Sequence, residues 1–150
     1  MLKPTSRGKL SLRTADPGSK PRILHNYFAT EEDRRRVIEG VRIALDIAAQ
    51  PALRAHIKAP NVVPNSTSAA DVWDYVRRYA STIYHPTSTC AIGPVVDSEL
   101  KVRGVERLRV VDASVMPSVV RGNTNAPTIM IVEKAADLIR GAPKQGQARP

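Results

Sequence analysis

The chain has 150 residues and a formal net charge of +9, with 42% hydrophobic and 25% charged residues. That length supports one domain with a real core, and the composition is that of a soluble globular protein rather than a fibrous or disordered one. No apolar run approaches the roughly 20 residues of a membrane helix, the first twelve residues hold no secretory h-region, and the single Cys90 excludes an intramolecular disulfide and argues against a Cys-based zinc site.

A cytoplasmic location is expected, with no membrane span and no metal. Basic residues gather near the start (Lys3, Arg7, Lys9, Arg13, Lys20, Arg22) and at the end (Arg140, Lys144, Arg149). Charge alone gives only weak, sequence-independent affinity for nucleic acid. Aromatic residues make up 4% of the chain and no RRM-, zinc-finger- or OB-like pattern occurs, so no nucleic-acid partner is expected. A basic surface facing an acidic partner or domain is the other meaning of such a balance.

Residues 1–28 read as extended. Lys9 to Arg13 alternate polar and apolar, as a half-buried strand does, and Asp16-Pro17-Gly18-Ser19 forms a turn cluster. Thr30 is the expected cap of a long amphipathic helix over 31–50, with Val37, Val41, Ala44, Leu45 and Ala48 at helical spacing and Pro51 as its stop. Its charged face (Arg34, Arg35, Glu39, Arg42, Asp46) reads as solvated, and the acidic first turn suits the helix dipole. Residues 58–67 form a loop. Ser68 to Asp71 open a second helix carrying Val72, Trp73, Val76, Tyr79 and Ala80, with Trp73 read as core.

Residues 84–107 are turn-rich and are expected over the surface or across a site, with short strands at 95–96 and 100–102. Leu108 to Val111 is the better strand candidate, ending at Asp112. A loop from Ser118 to Asn125 leads into a last helix from about Pro127 to Ile139, and 142–150 reads as a disordered tail.

Two stretches can carry chemistry. Tyr84-His85-Pro86-Thr87-Ser88-Thr89-Cys90 sets a histidine before proline in a polar loop, and histidine is the natural base near neutral pH. On its own such a histidine is more often a surface or core residue than a base, and Cys90 reads as a small apolar filler. His25 and His56 have no polar cluster around them and read as structural. Gly122-Asn123-Thr124-Asn125-Ala126-Pro127-Thr128 is a helix entry, with Asn125 suited to the cap and Pro127 to the first turn. Such an entry presents free N–H groups and partial positive charge, which suits an anion. An ordinary capped core helix has the same spacing. Between them, a strand running into Asp112-Ala113-Ser114 offers a carboxylate and backbone amides at a strand's end.

Taken in order, HPTSTC, GVERLRVVDASVMP and GNTNAPTIMIVEKAADLI resemble the C-terminal signature of the glucose–methanol–choline (GMC) oxidoreductases, in the choline-dehydrogenase-like branch. The stretch LKPTSRGKLSLRTADPGSKPRILHNYF resembles that family's Pro-, Ser-, Arg- and Gly-rich entry into the last part of its substrate domain. The likeness covers about residues 1–141. It implies an α+β fold class, the C-terminal fragment of the GMC fold, with part of the substrate-domain sheet and its helices plus the last strand and helix of the FAD-binding domain.

The resemblance also implies FAD as cofactor and oxidation of the CH–OH group of a small-molecule alcohol. His85 matches the histidine beside the flavin N5, and Asn123 the second active-site position, His or Asn in the family. Asp112 and Ala113 match residues beside the pyrophosphate and ribityl chain. Asn125, Pro127 and Thr128 match the helix entry beneath the pyrimidine side of the ring. The sequence departs from the family at Ser88, usually Gly, at Ala91, usually near a basic residue, and at Ile92, usually Met.

No G-x-G-x-x-G turn occurs, so the family's usual home for the adenine and pyrophosphate is not in these residues. Three readings follow: a fragment of an alcohol dehydrogenase completed by an N-terminal FAD-binding chain (a split enzyme) or by homo-oligomerisation; a catalytically inactive remnant; and a basic binding module, which the motif order disfavours. Uncovered apolar faces are expected on the chain alone.

Overall fold

The computed structural model describes residues 2–58 and 62–141. These form two units, one spanning Lys3–Ile83 and a second beginning at Tyr84. The expected tail at 142–150 lies outside the described residues.

The first unit opens with an antiparallel hairpin of β1 (Lys9–Ser11) and β2 (Arg22–Leu24), with Lys9 opposite Leu24 and Ser11 opposite Arg22. The turn cluster does its expected job: Asp16 Oδ1 accepts from Gly18 N–H at 3.0 Å, and Ser19 N–H donates to the Asp16 carbonyl at 3.1 Å. Gly8 is dictated by close approach. A Cβ there would collide with the Leu24 carbonyl oxygen and sit 2.9 Å from that of His25. A two-stranded hairpin is marginal alone. Asn26 braces this one by donating its side-chain N–H to the Arg7 carbonyl at 2.8 Å.

Helix α1 (Glu31–Ala49) begins where its cap predicts. Thr30 has extended backbone, and its hydroxyl accepts from Asp33 N–H at 3.3 Å. Gln50 ends it, and the single turn α2 (Pro51–Arg54) follows with Pro51 in a first-turn position. Helix α3 (Ala69–Tyr79) is capped likewise by Ser68, whose hydroxyl accepts from Asp71 N–H at 3.1 Å. Val72 and Val76, four apart, are its buried residues, and α3 packs against α1. Trp73 is only half-buried. It meets Phe28 edge-on at 5.8 Å and lies under the Arg34 guanidinium at 5.6 Å. With Phe28, Arg34 and Arg77 it lines a shallow cleft of about 570 Å³. His25 and His56 are exposed rather than embedded, and His25 stacks on Tyr27.

The anchor of this unit is Asp33, fully buried although it reads in sequence as one more first-turn acid. Its carboxylate accepts from the N–H groups of Thr5 and Ser6, both at 2.8 Å, and from the Thr5 hydroxyl at 3.0 Å. The N-terminal segment is thereby stitched to α1 across 27–28 residues of sequence. Burial alone would raise this carboxyl. The hydrogen bonds from Ser6 and Thr5 outweigh it and hold the group far below the ordinary carboxylate range.

In the second unit, the last helix α4 (Asn125–Arg140) ends at Gly141 in the left-handed conformation (φ 69°). Its Ala135 joins Val96, Leu100 and Val115 in a small core, with Ile131, Val95, Val102, Val110 and Val111 packed around it. Val96 and Leu100 are the buried residues of 84–107, a stretch that otherwise stays exposed or half-buried, as its turn-rich composition predicts. The turn that buries them is made by Asp97, whose Oδ1 accepts from the N–H groups of Glu99 and Lys101, both at 2.9 Å. Those bonds, the Lys101 amide first, lower the Asp97 carboxyl.

The expected strands of this unit are replaced by isolated bridges, Val96 with Val102 and Lys101 with Arg109. Leu108–Val111 is therefore not a regular strand. Its bridge partner Lys101 lies between two left-handed residues, Leu100 at φ 64° and Gly104 at φ 77°, so the pairing does not extend into a ladder. A short turn of 3-10 helix, Ala113–Val115, follows and packs against α4. The apolar side chains of Ile129, Met130, Val132 and Ile139 on α4 are exposed.

Asp33→Asn turns an amide N–H toward a backbone donor, and this is expected to cost about 1–3 kcal/mol at neutral pH. The native carboxyl is depressed, so its contribution is present above the ordinary value of about 4 and is lost as pH falls through the lower folded-state value. Urea titrations of both proteins should show a stability gap at pH 7 that narrows toward pH 2; a gap independent of pH contradicts the assignment.

Candidate active site

All the site residues expected from the sequence lie in the second unit. Two backbone bonds bring their stretches together. Cys90 N–H donates to the Ser114 carbonyl at 3.0 Å and Ile92 N–H to the Val115 carbonyl at 2.9 Å. The loop that carries His85 is thus pinned along the 3-10 turn that follows Asp112, and α4 packs against the same turn. Cys90 is half-buried beside it, its thiol free.

The loop around His85 is strained. Tyr84 has φ 60° and Ser88 φ 75°, both in the left-handed region that glycine tolerates best. Such strain persists where the surroundings over-determine a conformation, and it clusters at functional sites.

His85 is half-buried and gripped at both ring nitrogens. Nε2 lies 3.1 Å from Asn123 Oδ1, and Nδ1 lies 3.1 Å from Thr124 Oγ1. These consecutive partners sit at the entry to α4, so one helix end fixes the ring's plane and both its edges. Asn123 itself is exposed, leaving its amide open to a small molecule.

Thr124, not Asn125, is the cap residue of α4. The helix starts earlier than Pro127 because Thr124 already has helical backbone (φ −82°, ψ −7°) and its carbonyl accepts from Thr128 N–H at 3.0 Å. Asn125 is the first helical residue, exposed, and Pro127 the third. The Thr128 hydroxyl turns back onto the Thr124 carbonyl at 2.6 Å, which leaves only its acceptor capacity for a ligand. Asp112 is exposed and caps the 3-10 turn, its Oδ1 accepting from Ser114 N–H at 2.7 Å, and Ala113 is the first residue of that turn.

The first turn of α4 carries no acidic side chain, in contrast to α1 with Glu31, Glu32 and Asp33. The N–H groups of Asn125 and Ala126 have no partner within a helix, as for any first turn. The positive end of α4 is therefore uncompensated by its own side chains.

A family model described as GMC oxidoreductase matches residues 4–131. The chain belongs to the GMC oxidoreductase family. The motif order read from the sequence and this GMC match agree, and the α+β arrangement of helices with a small sheet is a C-terminal GMC fragment. Among its relatives, the mitochondrial choline dehydrogenase of Mus musculus is 47% identical over 150 residues, covering 95% of this chain and 25% of its own length. The oxygen-dependent choline dehydrogenase of Pseudomonas syringae pv. syringae (strain B728a) is 44% identical over 147 residues, covering 93% and 26%.

Among solved structures, an FAD-dependent oxidoreductase from Chaetomium thermophilum superposes with a TM-score of 0.84 at 29% identity, over 93% of this chain and 25% of that one. Pyridoxine 4-oxidase from Mesorbium loti gives 0.82 at 30%, over 93% and 28%. The chain spans about a quarter of the length of the curated relatives it matches.

Ser88 at φ 75° holds a conformation that glycine adopts at no steric cost. Ser88→Gly should relieve the left-handed strain and stabilise the chain by about 0.5–1 kcal/mol, after the entropy glycine loses on folding. A higher Tm checks this; an unchanged or lower Tm would show that the conformation at 88 carries no cost.

Proposed function

We propose that this chain carries the proton-handling and ring-facing part of an FAD-dependent GMC oxidoreductase that oxidises a small alcohol, of the choline-dehydrogenase type. The observation that supports this most is His85 held at both ring nitrogens by Asn123 and Thr124 at the head of α4.

The residues present suit the ring end of FAD. The uncompensated start of α4 offers partial positive charge where an anionic ring would lie, with Asn125, Pro127 and Thr128 beneath it. Asp112 and Ala113 would lie beside the pyrophosphate and ribityl chain, the exposed Asp112 bound to its own turn through Ser114. No G-x-G-x-x-G turn is present in the 150 residues, so the chain offers no Gly-rich cradle for the adenine half. When bound, FAD supplies the hydride acceptor.

His85 would take the hydroxyl proton of the alcohol at Nε2, and the hydrogen of the broken carbinol C–H bond would leave with its electron pair as hydride for the acceptor, so the carbonyl product would form with the other hydrogen held as a proton on His85. Asn123 hydrogen-bonds the substrate oxygen as its negative charge grows. The Thr124 contact at Nδ1 would keep the ring oriented, which is what a positioned base requires, while Asn123 Oδ1, which lies at Nε2, would give way to the substrate hydroxyl.

The exposed Ile129, Met130, Val132 and Ile139 fit a chain that works covered by further sequence, by a partner chain bearing the FAD-binding fold, or by a second copy. A remnant without activity would keep the same helices but need not keep the His85 grip.

In a protein completed with a family FAD-binding portion, His85→Ala should lower turnover of choline or a short alcohol by roughly 10²–10⁴-fold, the usual worth of a positioned base, with FAD content nearly unchanged. Anaerobic flavin-reduction rates and absorbance ratios check both numbers. An unchanged rate removes His85 from the role.

A further inference from the structure

We propose that the cleft beside Trp73 is a binding site for a small anion carried on an aromatic ring, a carboxylate or phosphate one or two bonds from a single ring. Residues 26–29, the first turn of α1 and the C-terminal half of α3 build it, so it owes nothing to the His85 loop or to the flavin reading. Its volume of about 570 Å³ falls within the roughly 300–1,000 Å³ of small-molecule sites.

The charge on its walls has one sign. Arg34 and Arg77 line the cleft, and no acidic side chain does. The acids in the first turn of α1 and along α3 are turned to other partners. Glu32 pairs with Arg35 at 2.9 Å and with Arg36 at 2.6 Å, and Asp74 pairs with Arg78 at 2.9 Å. Asp33 is taken by Thr5 and Ser6, and Asp71 by Ser66 and the α3 cap. Glu31, the remaining one, does not line the cleft. Among the described residues neither Arg34 nor Arg77 has a carboxylate partner. Two such cations in one concave surface favour an anion.

Arg34 is set before any ligand arrives. Its Nε donates to the Phe28 carbonyl at 2.8 Å, and its guanidinium lies over the Trp73 ring at 5.6 Å. That fixes its plane and leaves the terminal N–H groups to meet the paired oxygens of a carboxylate or phosphate. Phe28 meets Trp73 edge-on at 5.8 Å, and it does so from a strained backbone. Asn26 and Phe28 both have φ 55°, in the left-handed region that a bulky side chain rarely adopts. Such strain clusters at ligand clamps, where the surroundings hold it in place. Trp73 is half-buried, so an aromatic ligand has ring surface left to cover. Because Arg34 lies on the indole itself, the ligand's charge must sit close to its ring. Flavin mononucleotide carries its phosphate at the far end of the ribityl chain and lacks that spacing.

Trp73 is the single tryptophan of the chain, so its emission reports on the cleft directly. The test titrates the full 150-residue chain with phenylacetate, phenyl phosphate, phenylacetamide (the ring without the charge) and acetate (the charge without the ring). At least one of the two aromatic anions should saturate the emission change at about millimolar concentration or below, the tighter one naming the anion. Phenylacetamide and acetate should bind at least about 10-fold more weakly. Arg77 is exposed on α3, so Arg77→Gln should leave the circular dichroism spectrum unchanged. It should weaken binding by about 10-fold, the worth of one hydrogen bond to a charged group. No saturation by either aromatic anion up to about 10 mM overturns the proposal. Equal affinity for phenylacetamide does so as well, as does a folded Arg77→Gln that binds like the native chain. Should Arg77→Gln fail to fold, the comparison of the four ligands on the native chain still decides.

Discussion

Everything proposed for the second unit depends on one constraint: the His85 ring is clamped between two consecutive residues at the entry of a helix. A histidine in a polar loop rotates freely about two side-chain torsions, and a base that must meet a hydroxyl at hydrogen-bond distance gains from losing that freedom in the folded protein rather than on encounter. Here Asn123 and Thr124 remove it from opposite edges of the ring. They do so from the start of a 16-residue helix that is itself keyed into the core through Ala135.

The supporting layers follow the same logic. The loop from Tyr84 to Ile92 is strained at Tyr84 and Ser88 and is held by backbone bonds to Ser114 and Val115. The turn receiving those bonds is capped by Asp112 and packs on α4, while buried Val115 joins the core cluster. Loop, turn and helix therefore fix one another, and the cluster of Val96, Leu100, Val115 and Ala135 is the part of the core that this arrangement requires. That core is small. Exposed side chains such as Ile129 and Met130 show that α4 presents more apolar surface than the described residues cover.

Much of this was legible in the sequence because it is local. Thr30 and Ser68 mark the helix starts through a hydroxyl placed three residues before an amide, and Pro51 marks the stop. The pair His85 and Asn123 could be named only because three motifs stand in family order, since neither residue is informative alone. The misses are non-local. Asp33 resembles its neighbours Glu31 and Glu32, and its burial is decided by Thr5 and Ser6, which sequence proximity does not bring near. Val96 and Leu100 sit among turn residues, and the Asp97 side chain, not a periodic pattern, turns them inward. Leu108–Val111 has a strand's composition but a partner stretch too short to build a ladder. Sequence points to Asn125 rather than Thr124 because asparagine is the better cap by propensity. The available signal was Pro127 three residues on, which leaves a threonine at 124 one fewer amide to cap.

The claim at the centre of this account is that the entry of α4 and the His85 loop form the ring end of a flavin site. The most direct measurement is a titration of the 15N-labelled chain with flavin mononucleotide, which has the ring and ribityl phosphate but no adenine, followed amide by amide. The account predicts shifts concentrated at His85, Ala113 and residues 123–128. Shifts confined to the cleft beside Trp73, or none at the start of α4 up to the solubility of the flavin, would contradict it.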